Sequence, residues 1–299
     1  MGRADELLPV PPRDVPDVYE GMELTDEHRA RLDIDERFVP GPEGAPAVRV
    51  IVYRPKGQTG RLPVIVSIHG GAFVRMRADT FAATDAYWAI NHECVVVSVD
   101  YRLAPEHPFP AGPEDCYAVL CWVVQSADEL AIDVDRVVVA GGSAGGALTA
   151  AVTLMARDRK GPKIAFQGLM IPVLDDRLET PSIRQAMEAP GFNSRGAEGM
   201  WLHYLGEDYD RTTTSPYAAP SRAHDLTGLP PAFIQTNGLD PLRDEGIHYA
   251  LRLLAAGVSV ELCNVPGAYH GAPPLNPAAA ARANRAYNAA LHEALNPER

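Results

Sequence analysis

Short apolar runs alternate with longer amphipathic stretches along most of the chain. Seven runs rich in Val and Ile predict buried strands, at residues 48–53, 62–68, 94–99, 137–140, 166–173, 231–236 and 258–264. The periodicity of the apolar positions between them predicts helices, at residues 80–91, 113–127, 145–157, 244–256 and 278–295. Continuous apolar strands separated by helices are typical of a mostly parallel sheet covered on both faces, so the pattern predicts an α/β fold.

One connection is too long for a simple crossover. Almost sixty residues, rich in Met, aromatic, Pro and charged types, separate the strand ending near residue 173 from the one starting near residue 231. We interpret residues 175–221 as an insertion and expect them to form a helical cap.

Composition and charge narrow the classes of partner. The chain has 299 residues, which suits a single α/β core with insertions, and 27 basic against 39 acidic residues give a formal charge of −12. Such a charge repels nucleic acid and anionic lipid, so we expect neither as a partner. The chain lacks an apolar run of the ~18 residues that span a bilayer and a signal-peptide pattern at its start, which predicts a soluble cytoplasmic protein without a membrane anchor.

The four cysteines are scattered, with no CxxC pair and no histidines at metal-ligand spacing. Free buried thiols are common in a reducing compartment. The sequence therefore predicts neither a disulfide nor a metal site.

The pentapeptide Gly-Gly-Ser-Ala-Gly at residues 141–145 matches the pattern G-x-S-x-G. It follows the predicted strand at residues 137–140 and precedes a predicted helix, which is the context that this motif needs. Glycines on both sides of the serine permit a sharp turn, and the start of the helix adds a positive field. The motif predicts Ser143 as a nucleophile, although the bare pattern also occurs by chance in glycine-rich loops.

A serine hydroxyl is a weak nucleophile unless a base accepts its proton and a third group orients that base. In folds built around this motif the order along the chain is serine, acid, histidine. Of the nine histidines, His270 lies in a turn directly after the last predicted strand. His248 and His292 lie within predicted helices in polar surroundings, where exposed histidines are expected. We predict His270 as the general base.

Asp240 is the candidate for the acid, because it directly follows a predicted strand and so lies at the same sheet edge as the serine motif. Asp244 and Glu245 are its nearest rivals, but they are expected in the first turn of the next helix, where acidic side chains complement the dipole. Capping of that helix is the alternative role for Asp240.

The His-Gly-Gly sequence at residues 69–71 follows another predicted strand. Glycines there let the N–H groups of Gly70 and Gly71 approach a substrate oxygen, and the N–H of Ala144 follows the nucleophile directly. Together they are the predicted oxyanion hole, and losing one such donor typically costs about 2.7 to 4 kcal/mol in the barrier. A tight turn without this role is the alternative, and His69 is expected to brace the loop.

Five ordered motifs resemble the hormone-sensitive-lipase-like family of esterases. They are His69-Gly70-Gly71-Ala72-Phe73, the run Asp-Tyr-Arg-Leu-Ala-Pro-Glu-His-Pro-Phe-Pro-Ala at residues 100–111, Gly141-Gly142-Ser143-Ala144-Gly145-Gly146, the run Asp-Pro-Leu-Arg-Asp-Glu-Gly at residues 240–246, and His270-Gly271. The motifs extend over roughly residues 45–295. The family usually has a third glycine where Ala72 stands and an aspartate where Gly142 stands.

The resemblance implies an α/β-hydrolase fold with eight strands, helices on both faces and a helical cap. It divides the chain into an N-terminal part of the cap at residues 1–45, the first part of the core at 46–174, the cap insertion at 175–221 and the second part of the core at 222–299. It also implies ester hydrolysis without a cofactor, a preference for short to medium acyl chains, and a homodimer.

Apolar and aromatic side chains in a cap are the groups against which an ester's carbon atoms are buried. The candidate pocket residues are Phe73, Met187, Phe192, Met200, Trp201 and Tyr204. Such a stripe at helical spacing is also typical of the core of a cap, and this alternative stays open.

The sequence thus predicts a serine carboxylesterase that acts on a small-molecule ester through a Ser-His-Asp triad and an acyl-enzyme, with no metal or cofactor. One alternative is a receptor on a hydrolase scaffold, since the family includes plant gibberellin receptors that have lost the histidine. The other is an amidase, peptidase or lactonase with the same triad.

Overall fold

The computed structural model describes residues 23–206, 208–271 and 275–297. Their centre is one sheet with the strand order β1-β2-β4-β3-β5-β6-β7-β8. The strands are β1 (Leu32–Val39), β2 (Val48–Pro55), β3 (Leu62–Ile68), β4 (Val95–Asp100), β5 (Ile132–Gly142), β6 (Phe166–Met170), β7 (Ala232–Asn237) and β8 (Val260–Val265). Pairing is antiparallel for β1 with β2 and for β2 with β4, and parallel across the rest. The mostly parallel eight-stranded sheet is confirmed.

The described residues form eight α-helices, which are α1 (Asp26–Arg31), α2 (Ala82–Asn91), α3 (Ala111–Gln125), α4 (Ala144–Asp158), α5 (Pro181–Gln185), α6 (Ser194–Leu205), α7 (Arg243–Ala255) and α8 (Pro277–Leu295). Short 3₁₀ turns occupy Ala78–Phe81, Arg211–Thr213 and Pro220–Arg222. The five helices expected from periodicity are all present within two residues at either end. None of the helices in these ranges combines the length and hydropathy that a bilayer-spanning segment needs.

Alternating side chains of the central strands build two separate apolar layers. Val64 and Val66 of β3 pack with α3 and α4, whereas Ile65 between them packs with α2 and α8 on the opposite face. Both faces of β3 are fully buried, as a parallel strand covered by helices requires. The helices therefore leave the carboxyl ends of β5, β7 and β8 as the edge at which side chains can converge.

The first strand corrects the predicted division of the chain. Residues 1–45 are expected to belong to the cap, yet Leu32–Val39 pairs along its whole length with β2 and is part of the sheet. Its alternating, charged sequence has a half-exposed burial pattern, because an edge strand is solvated and charges discourage pairing with other chains. Residues 1–22 of the predicted N-terminal cap lie outside the described residues.

The insertion at residues 175–221 contains α5, α6 and two of the 3₁₀ turns. Trp201 and Tyr204 of α6 are 0% and 2% exposed and belong to the same apolar cluster as β3 and α4. The insertion is thus packed onto the core, and its role as a cap stays a prediction.

One carboxyl group of α2 is buried between this helix and the sheet. Asp85 is 1% exposed, and its Oδ1 accepts a hydrogen bond from Ser67 Oγ of β3 at 2.7 Å. Burial raises the pKa of Asp85 to about 7, against the hydrogen bonds from Ser67 and Ser98 that lower it. The folded protein therefore holds this proton more tightly than the unfolded chain does.

A raised carboxyl pKa stabilises the fold fully below the ordinary pKa near 4 and loses that contribution as the pH rises through about 7. Between pH 6 and pH 8.5 we expect Asp85 to remove roughly 1–2 kcal/mol from the free energy of unfolding. Asp85→Asn removes this titration. Urea unfolding at both pH values should show a smaller decrease for the variant than for the wild type, and equal decreases would refute the buried titration.

Candidate active site

Ser143 lies in a sharp turn between β5 and α4. Its φ of 56° and ψ of −118° are in a region that side chains rarely adopt, so the turn stores strain. The Ser143 N–H donates to Met170 O of β6 at 2.8 Å, and the Ser143 carbonyl accepts from Val173 N–H at 3.2 Å and from Ala147 N–H at 3.1 Å. These bonds fix the turn and leave the hydroxyl at the carboxyl edge of the sheet.

The turn depends on glycine at two of its positions. A Cβ on Gly145 would lie 2.0 Å from Ile68 O, and one on Gly141 would lie 2.4 Å from Gly145 O. The start of α4 therefore touches the ends of β3 and β5 backbone to backbone, a separation that any side chain would prevent.

Two more side chains from distant parts of the chain meet Ser143. Ser143 Oγ lies 2.8 Å from His270 Nε2, and His270 Nδ1 lies 2.7 Å from Asp240 Oδ2. Asp240 follows β7, and His270 follows β8. Asp240 is 2% exposed and His270 is 7% exposed, so little water competes for these hydrogen bonds. The structure thus brings the three predicted residues into one line.

Asp240 is further held by its own loop, since its Oδ1 accepts from Leu242 N–H at 2.8 Å. The two rival carboxyls are engaged elsewhere. Asp244 pairs with Arg243 at 2.7 Å, and Glu245 Oε1 accepts from Leu174 N–H at 2.6 Å. Glu245 is 1% exposed, and this burial raises its pKa. Both lie in the first turn of α7 as expected, but Glu245 is a buried acceptor rather than a solvated one.

The His-Gly-Gly loop lies directly against the serine turn. A Cβ on Gly70 would lie 3.0 Å from Gly142 O and 3.5 Å from Ser143 Cβ. Gly71 has a φ of +108°, and a Cβ there would lie 2.1 Å from Arg75 O. The hydrogen bonds among the described residues include none from the Gly70 or Gly71 N–H groups. These two donors are therefore available at the edge of the site.

Ala144 supplies a third donor by its position. It is the first residue of α4, and the N–H groups at the start of a helix have no partner within that helix. The helix dipole also places positive charge at this point.

His69 braces this loop. Its Nδ1 lies 2.7 Å from Gly70 O, and its ring stacks on Tyr101 with centroids 4.2 Å apart. Tyr101 Oη donates to His69 O at 3.0 Å. Burial lowers the pKa of His69 to about 4, so the ring is neutral near pH 7.

The predicted pocket residues divide into three groups. Phe73, Met200, Trp201 and Tyr204 are each at most 3% exposed, and the Phe73 and Tyr204 rings stack 3.8 Å apart. Their apolar surface is already used in packing, so the alternative of a cap core applies to them rather than an open pocket. Met187 is 49% exposed and offers no enclosed contact. Phe192 remains, with its ring centroid 4.9 Å from that of His270.

A sequence profile of a family described by its alpha/beta hydrolase fold matches residues 65–273. The chain belongs to this family. The hydrolase is 45% identical over 242 residues to a protein named carboxylesterase NlhH from Mycobacterium tuberculosis, a match covering 80% of this chain and 75% of that protein. It is 39% identical over 240 residues to esterase LipI from the same organism, with the same coverage.

Solved structures of esterases have the same fold as this chain. The hydrolase superimposes on a bacterial heroin esterase with a TM-score of 0.86 and 44% sequence identity, covering 88% of this chain and 84% of the other. The predicted membership of the hormone-sensitive-lipase-like family is thus confirmed, and the hydrolase is a carboxylic ester hydrolase.

The two departures from the family motifs have different consequences. At Gly142 a Cβ would meet its nearest neighbours, Met170 O and Met170 Cβ, at 3.8 and 3.9 Å, which is ordinary contact. A missing side chain there leaves the turn intact. Ala72 has a φ of +55°, where glycine is unstrained, so its methyl group costs about 1 kcal/mol of backbone strain.

Sequence reasoning missed two contacts of the site. Ser182 Oγ donates to Pro241 O at 2.7 Å, next to Asp240. Gly191 approaches the His270 carbonyl so closely that a Cβ would lie 2.6 Å from that oxygen. Neither Ser182 nor Gly191 lies in a motif, because the contacts join the insertion to residues about sixty to eighty positions away. The backbone at Gly191 has a φ of +79°, and no sequence motif indicates that glycine is needed at this position.

The glycines around Ser143 provide a matched pair of variants. Gly142→Ala is expected to change the free energy of unfolding by less than about 0.5 kcal/mol, because its methyl group has room. Gly145→Ala is expected to cost at least about 3 kcal/mol, because its methyl group would overlap the backbone of β3. Denaturant unfolding measures the stability of each variant, and ester hydrolysis measures its activity. Equal stability of the two variants would contradict the backbone contact.

Proposed function

We propose that Ser143, His270 and Asp240 form the catalytic triad of this carboxylic ester hydrolase, with the oxyanion bound by the N–H groups of Gly70, Gly71 and Ala144. The observation that carries the proposal is the unbroken line of contacts, 2.8 Å from Ser143 Oγ to His270 Nε2 and 2.7 Å from His270 Nδ1 to Asp240 Oδ2. It joins a hydroxyl, a base and an orienting carboxylate within hydrogen-bond reach.

Acylation begins when His270 Nε2 accepts the proton of Ser143 and Oγ bonds to the carbonyl carbon of the ester. The carbonyl oxygen becomes an oxyanion, which the three N–H groups stabilise in a site with little water. The C–O bond to the alcohol then breaks, and the alcohol takes the proton held by His270. Asp240 keeps the Nδ1–H toward itself, so Nε2 faces Ser143 as an acceptor.

Deacylation repeats these steps with water. His270 accepts a proton from the water as its oxygen bonds to the acyl carbon, and the bond to Ser143 Oγ breaks with return of the proton to Ser143. The carboxylic acid leaves. No step requires a metal or a cofactor, because His270 transfers the protons and the three N–H groups stabilise the oxyanion.

The acyl groups are proposed to be short to medium in length. The support is that Met200, Trp201 and Tyr204 of α6, each at most 3% exposed, pack into the apolar cluster of β3 and α4. Phe192, beside His270, is then the apolar side chain of the predicted set that remains near the reacting atoms. A long acyl chain would find few of the predicted partners.

The proposal also includes a cytoplasmic location and a homodimer. A cytoplasmic location agrees with the four cysteines, all of which are free thiols. A homodimer agrees with the family resemblance and with β8, an edge strand on which Leu262 is 38% exposed.

Replacement of the triad gives the first test of this proposal. Ser143→Ala is expected to lower kcat for p-nitrophenyl acetate about 10⁴-fold or more, and Asp240→Asn about 10³–10⁴-fold. Asp158→Asn, at the surface end of α4, is the matched control and is expected to leave kcat unchanged. Residual turnover by Ser143→Ala near the wild-type level would exclude Ser143 as the nucleophile. An absence of turnover by the wild type would favour a receptor.

A series of p-nitrophenyl esters from acetyl to dodecanoyl tests the acyl preference. We expect kcat/KM to be highest between about four and eight carbons and to fall at least ten-fold by dodecanoyl, because each further methylene lacks an apolar partner. Pairs of esters and amides with the same acyl group separate an esterase from an amidase. A rise in kcat/KM through dodecanoyl would contradict the short-chain proposal.

A further inference from the structure

One stretch of the insertion touches both the loop of the acid and the loop of the histidine. It runs from residue 182 to residue 192 and is called the clamp segment below. Its first contact is at Ser182, in the first turn of α5, and its last is at Phe192, with a turn after the helix. A single continuous stretch thus lies against the two residues that must orient the base.

The first end of the clamp segment is bonded to the residues directly after Asp240. Ser182 Oγ donates to Pro241 O at 2.7 Å and accepts from Asp244 N–H at 3.1 Å. The Ser182 N–H donates to Asp244 Oδ2 at 2.8 Å. Ser182 is 3% exposed, so water does not replace these bonds. Any shift of Ser182 therefore moves the turn that carries the Asp240 carboxylate.

The other end presses on His270 itself. Phe192 N–H donates to His270 O at 3.3 Å, and the two rings are 4.9 Å apart at an angle of 44°. Gly191 allows this approach, since its φ is +79° and a Cβ would lie 2.6 Å from His270 O. The Phe192 ring is held from behind by α6, where a Cβ on Gly196 would touch it at 3.3 Å.

Between its two ends the clamp segment stands away from the acid loop. A cavity of about 360 Å³ lies between them and begins at Ser182. It is lined on one side by Gln185, Ala186, Glu188, Ala189 and Pro190 and on the other by Gly238, Leu239, Asp240, Arg243 and Tyr269. Close contact is therefore concentrated at Ser182 and at Gly191 with Phe192. Both ends belong to one continuous segment, of which α5 forms only the first part.

We propose that the clamp segment holds the His270 imidazole in line between Asp240 and Ser143, with Ser182 and Phe192 as its two positioning residues. The proposal rests on the proposed triad and assigns Phe192 a task other than binding the acyl chain. Neither residue exchanges a proton or a bond with the substrate. Loosening either end lets the ring or the carboxylate leave the line, and misplacement by about 1 Å costs up to about 100-fold in rate.

The test uses four variants of the full chain, assayed on p-nitrophenyl acetate and p-nitrophenyl octanoate. Ser182→Ala and Phe192→Ala release the two ends. Gly191→Ala deletes no side chain, but its added methyl group would push the segment off His270 O and lengthen the Phe192 N–H bond to that oxygen. Ser215→Ala is the matched control, since Ser215 Oγ accepts a hydrogen bond from Tyr217 N–H at 3.2 Å within the insertion and lies outside the clamp segment.

We expect the first three variants to lower kcat about ten-fold, with KM within two-fold of the wild type and with the same loss on both esters. Ser215→Ala should keep the wild-type kcat. In the double variant Ser182→Ala/Phe192→Ala the loss should be smaller than the product of the single losses, because both ends restrain one segment. If Ser182→Ala does not fold, Gly191→Ala and Phe192→Ala carry the test.

Two results would overturn the proposal. A loss for Phe192→Ala that grows from acetyl to octanoyl and appears in KM would make Phe192 part of the acyl pocket. A Ser182→Ala kcat equal to that of Ser215→Ala, or fully multiplicative losses, would refute the clamp. Either result leaves the triad standing, since failure of the triad would instead appear as turnover that does not depend on Ser143.

Discussion

The strained backbone of Ser143 can persist because three pieces of main chain touch with no side chains between them. A φ of 56° at Ser143 costs energy that local sequence alone would release. Gly145 and Gly141 let α4 and β5 close on the end of β3, at separations that a single Cβ would forbid. The surrounding core overdetermines this turn, and the hydroxyl is presented above the sheet as a result.

The same edge of the sheet supplies the remaining groups. Asp240 and His270 follow neighbouring parallel strands, and their loops are bonded to each other by Leu239 N–H to Ala268 O at 2.9 Å and by Asn237 Nδ2 to Tyr269 O at 2.9 Å. These bonds set the backbone of the two loops. They do not set the rotation of the imidazole, which the acid on one side and Phe192 on the other restrict.

Much of this could be predicted from sequence, because each element has a local cause. Continuous Val and Ile runs reveal buried strands, and the serine motif fixes its own strand and helix. β1 was not predicted, because its charged, alternating residues face solvent at an edge of the sheet. The pocket residues could not be placed, since a helical stripe such as Met200, Trp201 and Tyr204 does not show which surface will cover it. Contacts between Gly191 and His270 arise from the path of the insertion, which no local pattern records.

In the proposed mechanism the hydroxyl of Ser143 attacks a carbonyl whose oxygen then accepts hydrogen bonds from three amide groups. The sharpest test of this mechanism is a crystal structure of the protein after reaction with a p-nitrophenyl alkylphosphonate, because the phosphorus mimics the tetrahedral carbon. We expect a bond from phosphorus to Ser143 Oγ and a phosphoryl oxygen about 2.7–3.1 Å from the nitrogen atoms of Gly70, Gly71 and Ala144. An adduct on another residue, or a phosphoryl oxygen turned away from those nitrogen atoms, would contradict it.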